Sequence, residues 1–143
     1  MMRFVVDCSV VMSWCFEDES DEYSDRILEL LADAQATVPA IWPLEVANVL
    51  LAGEKRKRLS AADSARFIEL LDELPIYVDS ETPDRAMKEI MSVGREQALS
   101  SYDAAYLELA MREGIPLASK DKELCAASVR CGVKILSPKY NRP

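Results

Sequence analysis

The sequence contains no histidine. That absence removes Ser–His and Cys–His nucleophile pairs, His-based acid–base nucleases and every His-ligated zinc or iron site. Glycine is scarce, at four in 143 residues, and neither G-x-G-x-x-G nor G-x-x-x-x-G-K-[ST] occurs. Nucleotide binding through a phosphate-cradling glycine loop is therefore disfavoured. The four cysteines, Cys8, Cys15, Cys125 and Cys131, include no C-x-x-C pair, which argues against a thiolate zinc site and a thioredoxin-type pair and suits free thiols in a reducing cytosol. Basic residues are outnumbered 17 to 25, a formal charge of −8, so charge alone does not make the chain a general polyanion binder. Any nucleic acid must meet a local site or one completed by a partner. No apolar run approaches the roughly 18 residues of a membrane helix, and Asp7 interrupts the N-terminal apolar stretch before it can form a signal-peptide core. These features predict a soluble, cytoplasmic protein with no membrane partner.

Half of the residues are hydrophobic and 29% are charged, the balance of one globular domain over residues 1–143. Apolar patterning alternates strand-like and helix-like segments. Phe4-Val5-Val6 reads as a buried strand. Val10 to Phe16 reads as a short helix with Ser9 as N-cap. Glu17 to Glu22 is acidic and reads as solvated. Tyr23, Ile27, Leu30, Leu31 and Ala34 recur at helical spacing. Thr37 to Ile41 reads as a second strand, weakened or pushed toward an edge by Pro39. Pro43 suits the first turn of a helix that runs to the basic cluster Lys55-Arg56-Lys57-Arg58. Ser60 with Asp63 has capping-box spacing ahead of a helix with core face Phe67, Leu70, Leu71 and Leu74. Ile76-Tyr77-Val78 is a third strand, and Thr82-Pro83 opens a helix through Arg95. Ser100 with Asp103 repeats the cap spacing before a helix ending at Gly114. Ile115 to Ala118 is a fourth strand, followed by a helix from about Lys122 to Gly132 and a last short strand, Val133 to Leu136. Strands separated by helices imply crossovers, a mostly parallel sheet and an α/β fold with helices on both faces.

In such sheets ligands bind beyond the carboxyl ends of the strands. Asp7 follows the first strand at once, and Asp121 follows the fourth by one turn. Glu45 and Asp103 lie in first helical turns. Taken singly, each has a structural explanation, because an acid there complements the helix dipole and Asp is a common turn residue. Their surroundings point elsewhere. The helix around Glu45 is apolar apart from Glu45 and Asn48, which predicts that it is buried. Asp103 sits in Tyr102-Asp103-Ala104-Ala105-Tyr106-Leu107, and Asp7 lies between Val6 and Cys8-Ser9-Val10-Val11. Carboxylates in apolar stretches, with no histidine and little nearby arginine, call for a shared cation. A hard divalent ion, Mg²⁺ or Mn²⁺, suits oxygen donors, and such ions activate water and clamp phosphoryl displacements. The residues therefore point to a metal-dependent phosphoester hydrolase.

Four segments, Val5-Val6-Asp7-Cys8-Ser9-Val10, Pro43-Leu44-Glu45-Val46-Ala47-Asn48, Leu99 to Leu107 and Leu117-Ala118-Ser119-Lys120-Asp121, resemble in order and spacing the PIN-domain family, and within it the VapC-type ribonuclease toxins of type II toxin–antitoxin systems. The resemblance spans nearly the whole chain. It implies a PIN-like three-layer α/β/α sandwich with a mostly parallel central sheet of four to five short strands. It also implies an endoribonuclease that cleaves single-stranded RNA with Mg²⁺ or Mn²⁺ through a metal-activated water, leaving a 5′-phosphate and a 3′-hydroxyl. Carried over, Asp7 and Asp103 are direct metal ligands. Glu45 binds directly or through water and positions the attacking water, and Asp121 completes the quartet. Ser9 and Ser119 match hydroxyls that bond the acids or a scissile phosphate, and Asn48 holds Glu45. The family pattern often has Thr where Ser119 stands, and Asp121 occupies its least constant acidic position. The implied partners are RNA, a cognate antitoxin protein and a second copy in a homodimer.

Other features stay open at this level. Lys120 can contact phosphate or point to solvent. The 55–58 run can track RNA or simply end a helix. Trp14 and Trp42 read as packing, with Trp14 the better candidate for a partner groove, and Asp79 and Glu81 lie outside the site. Two alternatives remain. One is a non-toxin or degenerate PIN-like interaction module. The other is a haloacid-dehalogenase-like phosphatase, whose second Asp is replaced here by Ser9.

Overall fold

The apolar run that opens the chain becomes the centre of the sheet. In a computed structural model that describes residues 1–138, strand β1 (Met2–Val6) carries Phe4, Val5 and Val6 with no solvent exposure. A strand buried on both faces reads as a continuous hydrophobic run, and β-branched residues suit it. Strands β2 (Ala34–Val38), β3 (Ile76–Val78) and β4 (Leu117–Ala118) complete a four-stranded parallel sheet in the order β3-β2-β1-β4. Register places Val5 beside Thr37 on one side and beside Leu117 on the other.

Between the strands run α1 (Cys8–Ser13), a 3₁₀ turn (Glu17–Glu19), α2 (Glu22–Leu30), α3 (Trp42–Lys55) and α4 (Ala61–Glu73). After β3 come α5 (Thr82–Arg85), a π-helical turn (Ala86–Ile90), α6 (Met91–Gln97) and α7 (Ser101–Glu113), and after β4 comes α8 (Lys122–Arg130). These helices flank the sheet. The chain steps from β1 outward to β2 and β3, then returns to place β4 on the other side of β1. Strand order therefore reverses between β1 and β4, the point at which open α/β sheets bind ligands.

The structure corrects several expectations. Asp7, not Ser9, caps α1, its side chain accepting from the Val10 amide. Ala34 starts β2 instead of continuing α2, and β2 ends at Val38 because Pro39 has no amide to donate. Pro39 thus lies beyond the strand, and β2 is an interior strand. Helix α3 is not buried all round: Leu44 is 68% and Leu51 64% exposed, with Pro43, Ala47 and Asn48 also exposed. Leu70 is exposed, leaving Phe67 and Leu71 as the buried face of α4. The helical stretch after Thr82 extends to Gln97 and is broken by the π turn. The expected last strand is reduced to one parallel bridge between Leu117 and Ile135. The capping box of Ser60 and Asp63 and the left-handed Gly114 after α7 are both present.

Candidate functional site

Asp7 stands where β1 ends beside β4. Its amide donates to the Ala118 carbonyl at 3.0 Å, which aims the residue at the strand-order switch. The residue is only 5% exposed, and its carboxylate takes three hydrogen bonds. Oδ1 accepts from Ser9 Oγ (2.5 Å) and the Val10 amide (3.3 Å), and Oδ2 accepts from Ser119 Oγ. Each serine hydroxyl accepts a backbone amide in turn: Lys120 N reaches Ser9 Oγ at 3.2 Å, and Asp121 N reaches Ser119 Oγ at 3.0 Å. The β4–α8 loop is thus tied to Asp7 through two hydroxyls. Burial pushes the Asp7 carboxyl above its ordinary value, the serine and Val10 donors pull against it, and the charge of Asp121 adds to the rise.

Glu45 enters from the first turn of α3. Its Oε1 accepts from the buried Tyr106 hydroxyl at 2.5 Å. Burial raises its carboxyl, Tyr106 opposes, and the charges of Asp103 and Asp7 raise it further. Asp103 enters from the first turn of α7. The Ser100 hydroxyl accepts its amide at 3.1 Å. The reciprocal half of a capping box is not formed by Asp103, so its carboxylate is not drawn back onto the helix end. Burial, then the charges of Asp121, Asp7 and Glu123, raise it. Asp121 caps α8, accepting the Leu124 amide at 2.9 Å.

Four segments remote in sequence therefore place acids in one electrostatic neighbourhood at the same sheet edge. Among the described residues, no group of three or more acids or thiols has the spacing to hold an ion by direct bonds alone. The donor set is nonetheless all oxygen, and Lys120, which precedes Asp121, is held elsewhere: its Nζ bonds Asp21 at 2.6 Å and also Ser13. An ion that uses one or two carboxylates and keeps its waters, as Mg²⁺ does, fits such a set. Thiol chemistry does not. Burial first, then the charges of Glu45 and Asp7, push the Cys8 thiol up to about 12, leaving negligible thiolate at neutral pH.

The remaining expectations sort by contact. Ser9 and Ser119 hold Asp7. Asn48 is exposed and makes no hydrogen bond to Glu45; Tyr106 takes that place. Sequence reading also missed Glu123, which lies two residues after Asp121 in the first turn of α8. Arg58 of the basic run pairs with Asp18 (2.8 Å) and Glu19 (3.0 Å) and lies 4.1 Å over the Phe16 ring, so part of the acidic stretch meets its own chain. Trp42 is buried, and Trp14 Nε1 donates to the Ser24 carbonyl at 2.8 Å, joining α1 to α2. Asp79 belongs to a largely buried ion network with Arg112.

The PIN domain family matches residues 4–129. Ribonuclease VapC3 of Pyrobaculum aerophilum is 25% identical over 123 residues, covering 86% of this chain and 92% of the relative. Among solved structures, PAE2754 of the same organism superposes with a TM-score of 0.68 at 21% identity, covering 89% of this chain and 86% of that one. FitAcB of Neisseria gonorrhoeae superposes with a TM-score of 0.61 at 17% identity, covering 94% and 96% of the two chains. VapBC2 of Rickettsia felis, bound to a DNA fragment from its promoter, gives 0.59 at 14% identity, covering 84% and 88%. At these identities the superpositions establish the fold.

Proposed function

The chain belongs to the PIN-domain family, and from that premise we propose that it is a divalent-cation-dependent endoribonuclease, the toxin of a toxin–antitoxin pair, acting through Asp7, Glu45, Asp103 and Asp121. The observation that carries this reading is the convergence of four acids from remote segments on the β1/β4 switch, with the nearby lysine paired elsewhere. When bound, Mg²⁺ or Mn²⁺ supplies water activation and neutralises charge on a phosphodiester. Asp7 and Asp103 would hold the ion, Glu45 would orient water, and Asp121 would extend the acidic rim. Ser9 and Ser119 orient the Asp7 carboxylate and oppose the upward push of burial on its proton affinity. A phosphatase that uses Asp7 as nucleophile finds no support, because the position of its second acid is held by Ser9, whose hydroxyl donates a hydrogen bond to Asp7.

The relation to VapC3, whose name is that of a ribonuclease, supports the chemistry. The VapBC2 and FitAcB complexes among the structural neighbours support an antitoxin partner. The test is incubation of purified, antitoxin-free protein with total RNA and Mn²⁺. Wild type is expected to cleave, chelator to stop cleavage, and Asp7→Asn or Asp103→Asn to abolish it with the fold retained. Cleavage by either variant, or in excess chelator, contradicts the reading.

A further inference from the structure

We propose that Tyr106 is a positioning residue that fixes Glu45 for cation binding, an inference that rests on the cation-site reading above. Tyr106 is only 2% exposed, and a phenol hydroxyl buried to that degree destabilises the fold unless it is hydrogen-bonded. Packing alone does not require the hydroxyl, since phenylalanine fills nearly the same volume. The hydroxyl donates to Glu45 Oε1 at 2.5 Å, the one side-chain hydrogen bond that Glu45 receives among the described residues. Tyr106 lies three residues after Asp103 on α7, on the same helix face. One bond therefore joins the helix that carries Glu45 to the helix that carries Asp103. The bond to Oε1 fixes the plane of the Glu45 carboxylate and leaves Oε2 without a protein donor among the described residues.

The experiment measures Mn²⁺ affinity of the full chain by loss of the free-ion electron paramagnetic resonance signal, beside RNA cleavage and circular dichroism. Tyr106→Phe is expected to bind Mn²⁺ about tenfold more weakly, the usual scale for losing a group that orients a ligand. Its fold is expected to be unchanged, with kcat lowered and KM for RNA retained. Because Tyr106 acts through Glu45, the double variant Tyr106→Phe/Glu45→Gln is expected to bind no more weakly than Glu45→Gln alone. Wild-type Mn²⁺ affinity in Tyr106→Phe, or a fully additive loss in the double variant, overturns the positioning role and leaves the cation site standing. Failure of wild type itself to bind Mn²⁺ overturns the cation reading, and this inference with it.

Discussion

At the residue scale, the site is governed by how one buried carboxylate is kept tolerable. Asp7 receives two hydroxyl protons and one amide, and both hydroxyls are themselves held by loop amides. Ser119→Ala deletes one donor and orphans the Asp121 amide. It is expected to lower stability by about 2 kcal/mol, the scale of a hydrogen bond to a charged group, read from the urea midpoint at unchanged slope. The pH dependence has a definite sign. Asp7, Glu45 and Asp103 have raised folded-state values, so each contributes stability in full below the ordinary carboxylate range, near about pH 4, and loses it as pH rises through the raised value. Removing the Ser119 donor raises Asp7 further, so the Ser119→Ala deficit is expected to be larger at about pH 7 than at about pH 4. An equal deficit at both contradicts the assigned cause. Asp7, Ser9 and Ser119 were legible in the sequence as residue types after strands. The direction of the hydroxyl protons was not, and Tyr106 was hidden because its partner Glu45 lies 61 positions away.

At the element scale, the end of β3 is clamped to α5 and α7 by an ion network. Arg112 meets Asp79 at 2.8 Å and Glu108 at 3.1 Å, while Arg85 meets Glu108 at 3.1 Å. Thr82 donates to Asp79 and accepts from the Ala40 amide, just ahead of α3. The network thereby braces two elements that carry candidate site acids, α3 and α7. Arg112→Met leaves Asp79 and Glu108 poorly compensated and is expected to destabilise by about 3 kcal/mol in thermal or urea unfolding. Although burial opposes it, hydrogen bonding to Arg112 and Thr82 holds the Asp79 carboxyl below its ordinary value. That contribution is present above the ordinary carboxylate range and is lost as pH falls through the lowered value. The Arg112→Met deficit is therefore expected to shrink on acidification; a constant deficit argues against the pairing as its source. Local signals read correctly where the chemistry is local, as at Ser60 with Asp63 and at Gly114. They failed where tertiary context decides. Leu44, Ala47 and Leu51 read as core because hydrophobicity cannot say which face of α3 meets the sheet. Val133 to Leu136 had strand composition but formed only the bridge at Ile135.

At the scale of the whole molecule, parallel topology turns a set of weak local motifs into one place. The alternation of strands and helices made the sheet legible, and the reversal of strand order about β1 explains why residues after β1 and β4 meet. Leu44, Ala47 and Leu51 form an exposed apolar stripe on one face of α3, and contiguous exposed apolar surface is the kind that marks interaction sites. We propose that this stripe pairs two copies of the chain: wild type is then expected to sediment as a dimer and Leu51→Lys as a monomer with an unchanged urea midpoint, and a monomeric wild type or an unchanged sedimentation coefficient in Leu51→Lys contradicts that proposal. Under the proposed function, the formal charge of −8 requires a local RNA surface completed by a cation. The most direct measurement is the melting temperature of wild type and Asp7→Asn across a Mn²⁺ titration. An ion that binds only the folded chain stabilises by about 2.7 kcal/mol at a hundredfold excess over its Kd, several degrees of melting temperature. Wild type is expected to rise by that amount and Asp7→Asn to start higher and stay flat; equal shifts in the two proteins, or none in wild type, contradict a shared cation at the β1/β4 switch.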